Sequence, residues 1–205
     1  PNAMGGREVG ALANLLAAHM GFSCSEDIDR VRRFWEAPKI ATKPGLAAVQ
    51  MFDALADGQL KAIWVMATNP AVSLPNSDHV RRALASAELS IVSDCYLDTD
   101  TVGLSQVHLP ALPWGEKDGT VTNSERRISR QRAFLSPLGD ARPDWWIICR
   151  VAKALGFEHG FDFSHQAEIF DEHARLSAFE NDGRRHLDLG GLVGLGRTAY
   201  DDLGP

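Results

Sequence analysis

The chain has 205 residues, 44% of them hydrophobic and 23% charged, with a formal net charge of −6. These values suit a globular domain with a real core, and they argue against the broad basic face that a nucleic-acid partner needs. No apolar run approaches the roughly 20 residues that span a bilayer, and residues 1–4 lack the basic end and apolar stretch of a signal peptide.

In chain order, Leu12, Leu15, Leu16 and His19 share a face at helical spacing, which predicts a helix over 8–19. A second, charged helix is predicted from Ser25 to about Trp35, with Ile28, Val31, Phe34 and Trp35 as its apolar side. Pro44 suits the first position of a third helix and Gly58 its stop. Residues 62–66 are a short continuous apolar run, read as a buried strand that ends at the turn 67–70. A helix is expected over 78–87, a second buried strand over 89–92 ending at Ser93 and Asp94, and a third over 107–110. This alternation predicts an α/β fold: a Rossmann-like, mostly parallel sheet flanked by helices. Residues 116–119 read as a tight turn and 120–129 as a small hairpin. Further helices are expected from Pro143 and Asp144 to Leu155, closed by Gly156, and over 166–176. After Asn181 the glycines crowd, which predicts an irregular tail.

In an open parallel sheet, ligands bind outside the carboxyl ends of the strands. Asn69 follows the first strand, and Ser93 and Asp94 end the second. These groups suit a nucleotide: an aspartate accepts from a guanine edge or from ribose hydroxyls, and an asparagine both donates and accepts. Lys117 carries charge suited to a pyrophosphate, and Asp144, at a helix start, is a second polar anchor. Each also has a purely structural reading. Asn69 shapes a turn before Pro70, Asp94 caps the next segment, Lys117 is a solvated turn lysine, and Asp144 is a favourable first-turn acid. Neither G-x-G-x-x-G after a strand nor G-x-x-x-x-G-K-[ST] is present. The arginines Arg126, Arg127, Arg130 and Arg132 read either as a solvated strand face or as attraction for an anionic cofactor. The seven histidines show no zinc spacing and are read as structural or surface residues. The cysteines Cys24, Cys95 and Cys149 lie far apart. They are read as buried or half-buried thiols, an odd count that suits a reducing compartment.

Specific strings carry a resemblance. Residues 1–10, PNAMGGREVG, resemble the opening signature of bacterial assimilatory nitrate reductases, members of the molybdopterin oxidoreductase superfamily. Residues 61–73 resemble that family's first nucleotide-binding strand and turn. Residues 116–127 (EKDGTVTNSERR) and 141–148 (ARPDWWII) are similar to its later blocks, and residues 179–183 extend the likeness.

The resemblance implies an internal fragment of a catalytic subunit that reduces nitrate to nitrite at molybdenum held by bis-molybdopterin guanine dinucleotide. It implies cofactor contacts at Asn69, Ser93, Asp94, Lys117 and Asp144, and a nitrate-orienting role for Arg7. It implies three parts: a helical segment of an adjoining layer (1–60), a guanine dinucleotide-binding α/β domain (61–180), and an irregular linker (181–205) towards a missing β-barrel. The 4Fe-4S cluster belongs to the parent protein only, outside this fragment. The implied partners are nitrate, the remaining domains of the parent subunit and an electron-donor protein or reductase subunit, with no nucleic acid and no membrane, in the cytoplasm. The alternatives are a formate dehydrogenase-like bis-pterin oxidoreductase and the non-catalytic scaffold of a respiratory NADH dehydrogenase iron-sulfur subunit. A free-standing nucleotide module is a third. Residues 1–10 favour nitrate reductase over the formate enzymes.

Overall fold

A computed structural model describes residues 2–204. In chain order the elements are α1 (Ala3–Glu8), α2 (Ser25–Phe34), α3 (Ala48–Ala56), β1 (Ala62–Met66), α4 (Pro70–Ser73), α5 (Ser77–Ser86), β2 (Leu89–Asp94) and α6 (Asp100–Gly103). They continue with β3 (Val107–Pro110), β4 (Gly119–Thr122), β5 (Ile128–Gln131), α7 (Asp144–Ala154), α8 (Gln166–Ala178) and α9 (Gly196–Asp201). Two units share these elements. One draws on the segments up to Gly45, Asp118–Arg132 and the chain from Ala152 onward, the other on Leu46–Lys117 and Ala133–Val151. Neither unit follows the sequence divisions at 60 and 180.

The Leu46–Lys117 unit holds the parallel sheet, in strand order β1-β2-β3. Its register sets Ile63 opposite Ser90 and Val65 opposite Val92, so these side chains share one face. Val80, Ala83 and Leu84 of α5, at helical spacing, join Phe52 and Leu55 of α3 over that face. Each such large apolar side chain contributes about 1.5–3 kcal/mol on burial. The predicted α/β class and parallel strands therefore stand as observed. Helix α3 starts at Ala48 rather than near Pro44, because the Gln50 side chain reaches back to accept the Ala47 N–H and residue 47 is still extended. Gly58, at φ +70°, ends it as its sequence position predicts.

The other unit corrects two expectations. No helix runs over 8–19. α1 ends at Glu8, Gly10 turns at φ +77°, and a lone 3-10 turn covers Ala17–His19. The apolar spacing there serves an irregular turn instead: Leu16, Ala17, Ala18 and Met20 are buried against Val31 and Leu176. A Cβ on Gly10 would fall 2.6 Å from the Ala17 backbone nitrogen. Gly10→Ala is therefore expected to destabilise the chain by at least about 2 kcal/mol, from left-handed strain and the backbone clash together. A urea or guanidinium unfolding midpoint checks this, and an unchanged midpoint would refute it.

The glycine-rich end is not wholly irregular. A 3-10 turn at Gly190–Leu192 and helix α9 occupy it. Tyr200 of α9 is buried with the Arg130 guanidinium 4.3 Å from its ring centre. Asn181, where the irregular stretch was expected to begin, is itself buried. Its amide donates to the Arg185 and Leu187 carbonyls, and its side-chain oxygen accepts the Arg185 N–H.

Candidate functional site

The carboxyl edge of the parallel sheet is built from the turns after each strand. Beyond β1, Ala67 adopts φ +53° while its N–H still bonds to the Ser93 carbonyl. That left-handed residue swings the chain off the sheet two residues before Asn69. The Asn69 backbone carbonyl accepts the Val72 and Ser73 N–H groups, opening the short helix α4. Its side-chain Oδ1 accepts from Thr101, at 2.6 Å from the hydroxyl and 3.3 Å from the N–H. The buried Thr101 hydroxyl also accepts the Ala71 N–H. Thr101 thus fixes the Asn69 amide plane by its oxygen and leaves its NH2 free to donate. Nothing in the sequence marks Thr101, apart from the Thr99 side chain capping α6 two residues earlier.

At the end of β2, Ser93 is buried and its hydroxyl accepts the Trp64 indole N–H at 2.8 Å. That hydroxyl serves the sheet face directly. Asp94 is also buried. Its Oδ1 accepts the Tyr96 N–H at 3.1 Å in a local turn, and its carbonyl accepts from Ala111 N–H and from His108 Nε2, which carries the proton in that contact. Cys95, expected at least half-buried, is exposed. Although the residue as a whole is exposed, partial desolvation of its sulfur and then the Asp94 carboxylate push the thiol up, and Lys117 pulls it down.

Asp144 reaches the same edge by an indirect route. Arg142 makes a single parallel bridge with Ala111 just past β3: its N–H donates to the Pro110 carbonyl, and its carbonyl accepts the Leu112 N–H, both at 3.1 Å. Pro143 follows and α7 begins at Asp144, so the carboxylate sits in the first turn, where a helix stabilises negative charge. Lys117 Nζ lies 2.6 Å from Asp144 Oδ2. The pair is about a third exposed, so it adds little to stability by itself and acts to position both groups. Asp144 Oδ1 is buried and has no hydrogen-bond partner, as is Oε2 of the neighbouring Glu116.

Ser93 and Asp94 thus end β2, Asn69 opens the helix that follows β1, Asp144 opens α7 just after the bridge beside β3, and Lys117 is paired with Asp144. Arg7 lies in the other unit, exposed, in the last turn of α1. Trp146, beside Asp144, is 40% exposed, with the Arg142 and Arg150 guanidinium groups 6.0 and 5.6 Å from its ring centre.

This is the open α/β class, in which a parallel sheet presents polar groups beyond its strand ends. Residues 2–154 match the molybdopterin oxidoreductase family, and the chain belongs to it. A nitrate reductase of Klebsiella oxytoca is 57% identical over 205 residues, covering all of this chain and 24% of that protein. A nitrate reductase of Shewanella frigidimarina is 53% identical over 207 aligned residues, covering all of this chain and 22% of that protein. A putative formate dehydrogenase of Bacillus subtilis, YrhE, is 39% identical over 178 residues, covering 86% of this chain and 18% of that one. Among solved structures, acetylene hydratase of Pelobacter acetylenicus shares the fold. Its TM-score is 0.54 at 19% identity, covering 76% of this chain and 25% of that one. The chain spans about a quarter of the length of the nitrate reductases it matches. Among the described residues, no helix is long and apolar enough to cross a membrane.

Proposed function

We propose that this chain is an internal part of the catalytic subunit of a molybdenum-dependent assimilatory nitrate reductase, and that it holds part of a bis-molybdopterin guanine dinucleotide. One observation carries the reading: an orphaned, buried carboxylate oxygen on Asp144 stands at the same sheet edge as the Asn69 amide and the Asp94 carboxylate. That donor set fits a guanosine. Guanine offers N–H donors to a carboxylate, and the Asn69 NH2 answers an acceptor. Lys117 supplies positive charge for a pyrophosphate, and Ser93 braces the strand that carries Asp94. Arg7 would orient nitrate through a planar, charge-assisted contact.

When bound, the cofactor supplies two-electron transfer at molybdenum. The protein's own share is anchoring and orientation. Electron balance requires two electrons and two protons per nitrate, giving nitrite and water; a donor protein, through a 4Fe-4S cluster in the parent subunit, would supply the electrons. Nitrate is favoured over formate because two nitrate reductases are more than half identical across the whole chain and a third is 42% identical over 87% of it, against 39% for the putative formate dehydrogenase.

The test is the full-length protein purified with its cofactor. Molybdenum and guanine nucleotide should co-purify with it, and reduced viologen should drive nitrate to nitrite. Formate oxidation without nitrate reduction would favour the formate dehydrogenase reading, and a protein without molybdenum would favour a scaffold. The 205-residue chain by itself is expected to reduce no nitrate, and turnover by it would overturn its assignment as a cofactor-holding part.

A further inference from the structure

Residues 133–138, AFLSPL, carry no charged side chain. Phe134 and Leu138 are each 76% exposed, and Leu135 and Trp114 are about half-exposed. A single exposed apolar side chain is ordinary, whereas a cluster of them marks an interaction surface. Backbone contacts hold this cluster together. The Gly115 carbonyl, next to Trp114, accepts the N–H groups of both Phe134 and Leu135, at 2.9 and 3.0 Å. The two side chains lie over that glycine: a Cβ on Gly115 would fall 3.0 Å from Phe134 Cζ and from Leu135 Cδ1.

The cluster adjoins the candidate cofactor edge along both of its segments. The 3-10 turn Trp114–Glu116 leads directly into Lys117, whose N–H donates to the Trp114 carbonyl. On the other segment the Leu138 carbonyl accepts the Ala141 N–H at 3.2 Å, Arg142 bridges to Ala111, and Asp144 opens α7. Residues 114–117 and 134–144 are thus tied together twice, at Gly115 by backbone hydrogen bonds and at Lys117 by the 2.6 Å contact with Asp144. All of these residues belong to one unit.

We propose that an apolar segment of the parent subunit, outside these 205 residues, seats on Trp114, Phe134, Leu135 and Leu138 and closes the cofactor edge at Lys117 and Asp144. The proposal rests on the cofactor-binding reading of that edge. The chain covers 24% and 22% of two nitrate reductases, so most of such a subunit lies elsewhere and is available as the cover. An uncharged loop offers no ion pair, so the surface that matches it is apolar. Once seated, the segment excludes water from beside the Lys117–Asp144 pair, which strengthens the hold of both groups on a polar ligand.

Leu138→Cys in the full-length, cofactor-loaded protein tests the seat. Maleimide labelling at position 138 is read by peptide mass spectrometry, which separates it from the three native cysteines. These 205 residues leave position 138 open, so protection there requires a cover. Labelling about fivefold or more slower than in the urea-unfolded protein is expected, unchanged when the protein is diluted. Faster labelling than that overturns the proposal. So does protection that vanishes on dilution, which would assign the face to a second copy. Leu138→Ser is expected to lower guanine nucleotide per protein after desalting by about threefold or more, and Leu138→Met to retain it. Equal content in both variants and the wild type overturns the closing role. If position 138 is protected but the wild type holds neither molybdenum nor guanine nucleotide, the cofactor reading fails and the seat stands without it.

Discussion

Asp144→Ala in the full-length protein is expected to weaken retention of the molybdenum cofactor by about 10- to 100-fold while leaving the fold nearly as stable as before. The two effects separate because the groups concerned have different surroundings. A hydrogen bond to a charged acceptor is worth about 1.5–3 kcal/mol, which sets the expected loss of binding. Asp144 Oδ1 is buried and unpartnered within the protein, so a ligand that fills it gains an acceptor already stripped of water. Its Oδ2 pairs with Lys117 across 2.6 Å, but both side chains are about a third exposed. Lys117 therefore rehydrates when the partner goes, and the lost pair and helix-start charge together amount to about 1 kcal/mol or less. Molybdenum and guanine nucleotide per protein, measured after desalting, should fall sharply while the thermal midpoint moves little. Full cofactor content in the variant would reduce Asp144 to an ordinary first-turn acid.

Replacing Arg130 by Met is expected to be the most damaging substitution for stability, at about 3–5 kcal/mol, the range seen when one member of a buried ionic network is removed. Its side chain is only 2% exposed. The guanidinium donates to the carbonyls of Tyr200, Gly119 and Gln131 and pairs with Asp118 and Asp201. It also lies over the Tyr200 ring. Methionine fills most of the volume but satisfies none of these acceptors. A guanidinium unfolding curve should show the loss, and the amides of α9 should exchange faster than those of the parallel sheet. A loss below 1 kcal/mol would mean that water replaces the guanidinium at this site.

The parallel strands were legible because each is a continuous apolar run closed by a turn signal, as in Ala62–Met66 before Thr68, Asn69 and Pro70. Their ends located Asn69, Ser93 and Asp94 along the sheet edge. What each side chain does there was not legible. Thr101 holds Asn69 from 32 residues away, and Trp64 takes the Ser93 hydroxyl from 29 residues away. The Lys117–Asp144 pair depends on the bridge between Ala111 and Arg142, a contact with no local sequence signal. The helix expected over 8–19 failed because spacing alone does not reveal that Gly10 must turn left-handed beneath Ala17. Helix α9 was hidden by its glycines. Its reason for existing is Tyr200 meeting Arg130, 70 residues earlier. Helices α4 and α6, of four residues each, are too short to show a period.

The nesting of the two units bears on how the polypeptide acquires its shape during synthesis. Strands β1, β2 and β3 span only residues 62–110 and can pair soon after they leave the ribosome. α1 must wait: the N–H and hydroxyl of Thr122 are claimed by Asn2 and Glu8, across separations of 120 and 114 residues. Closing such long loops before any contact is gained makes that half the slow one. Residues 2–45 therefore wait for these partners while the sheet is already formed, and chaperone contact or proteolytic nicking should concentrate on them until translation passes Tyr200.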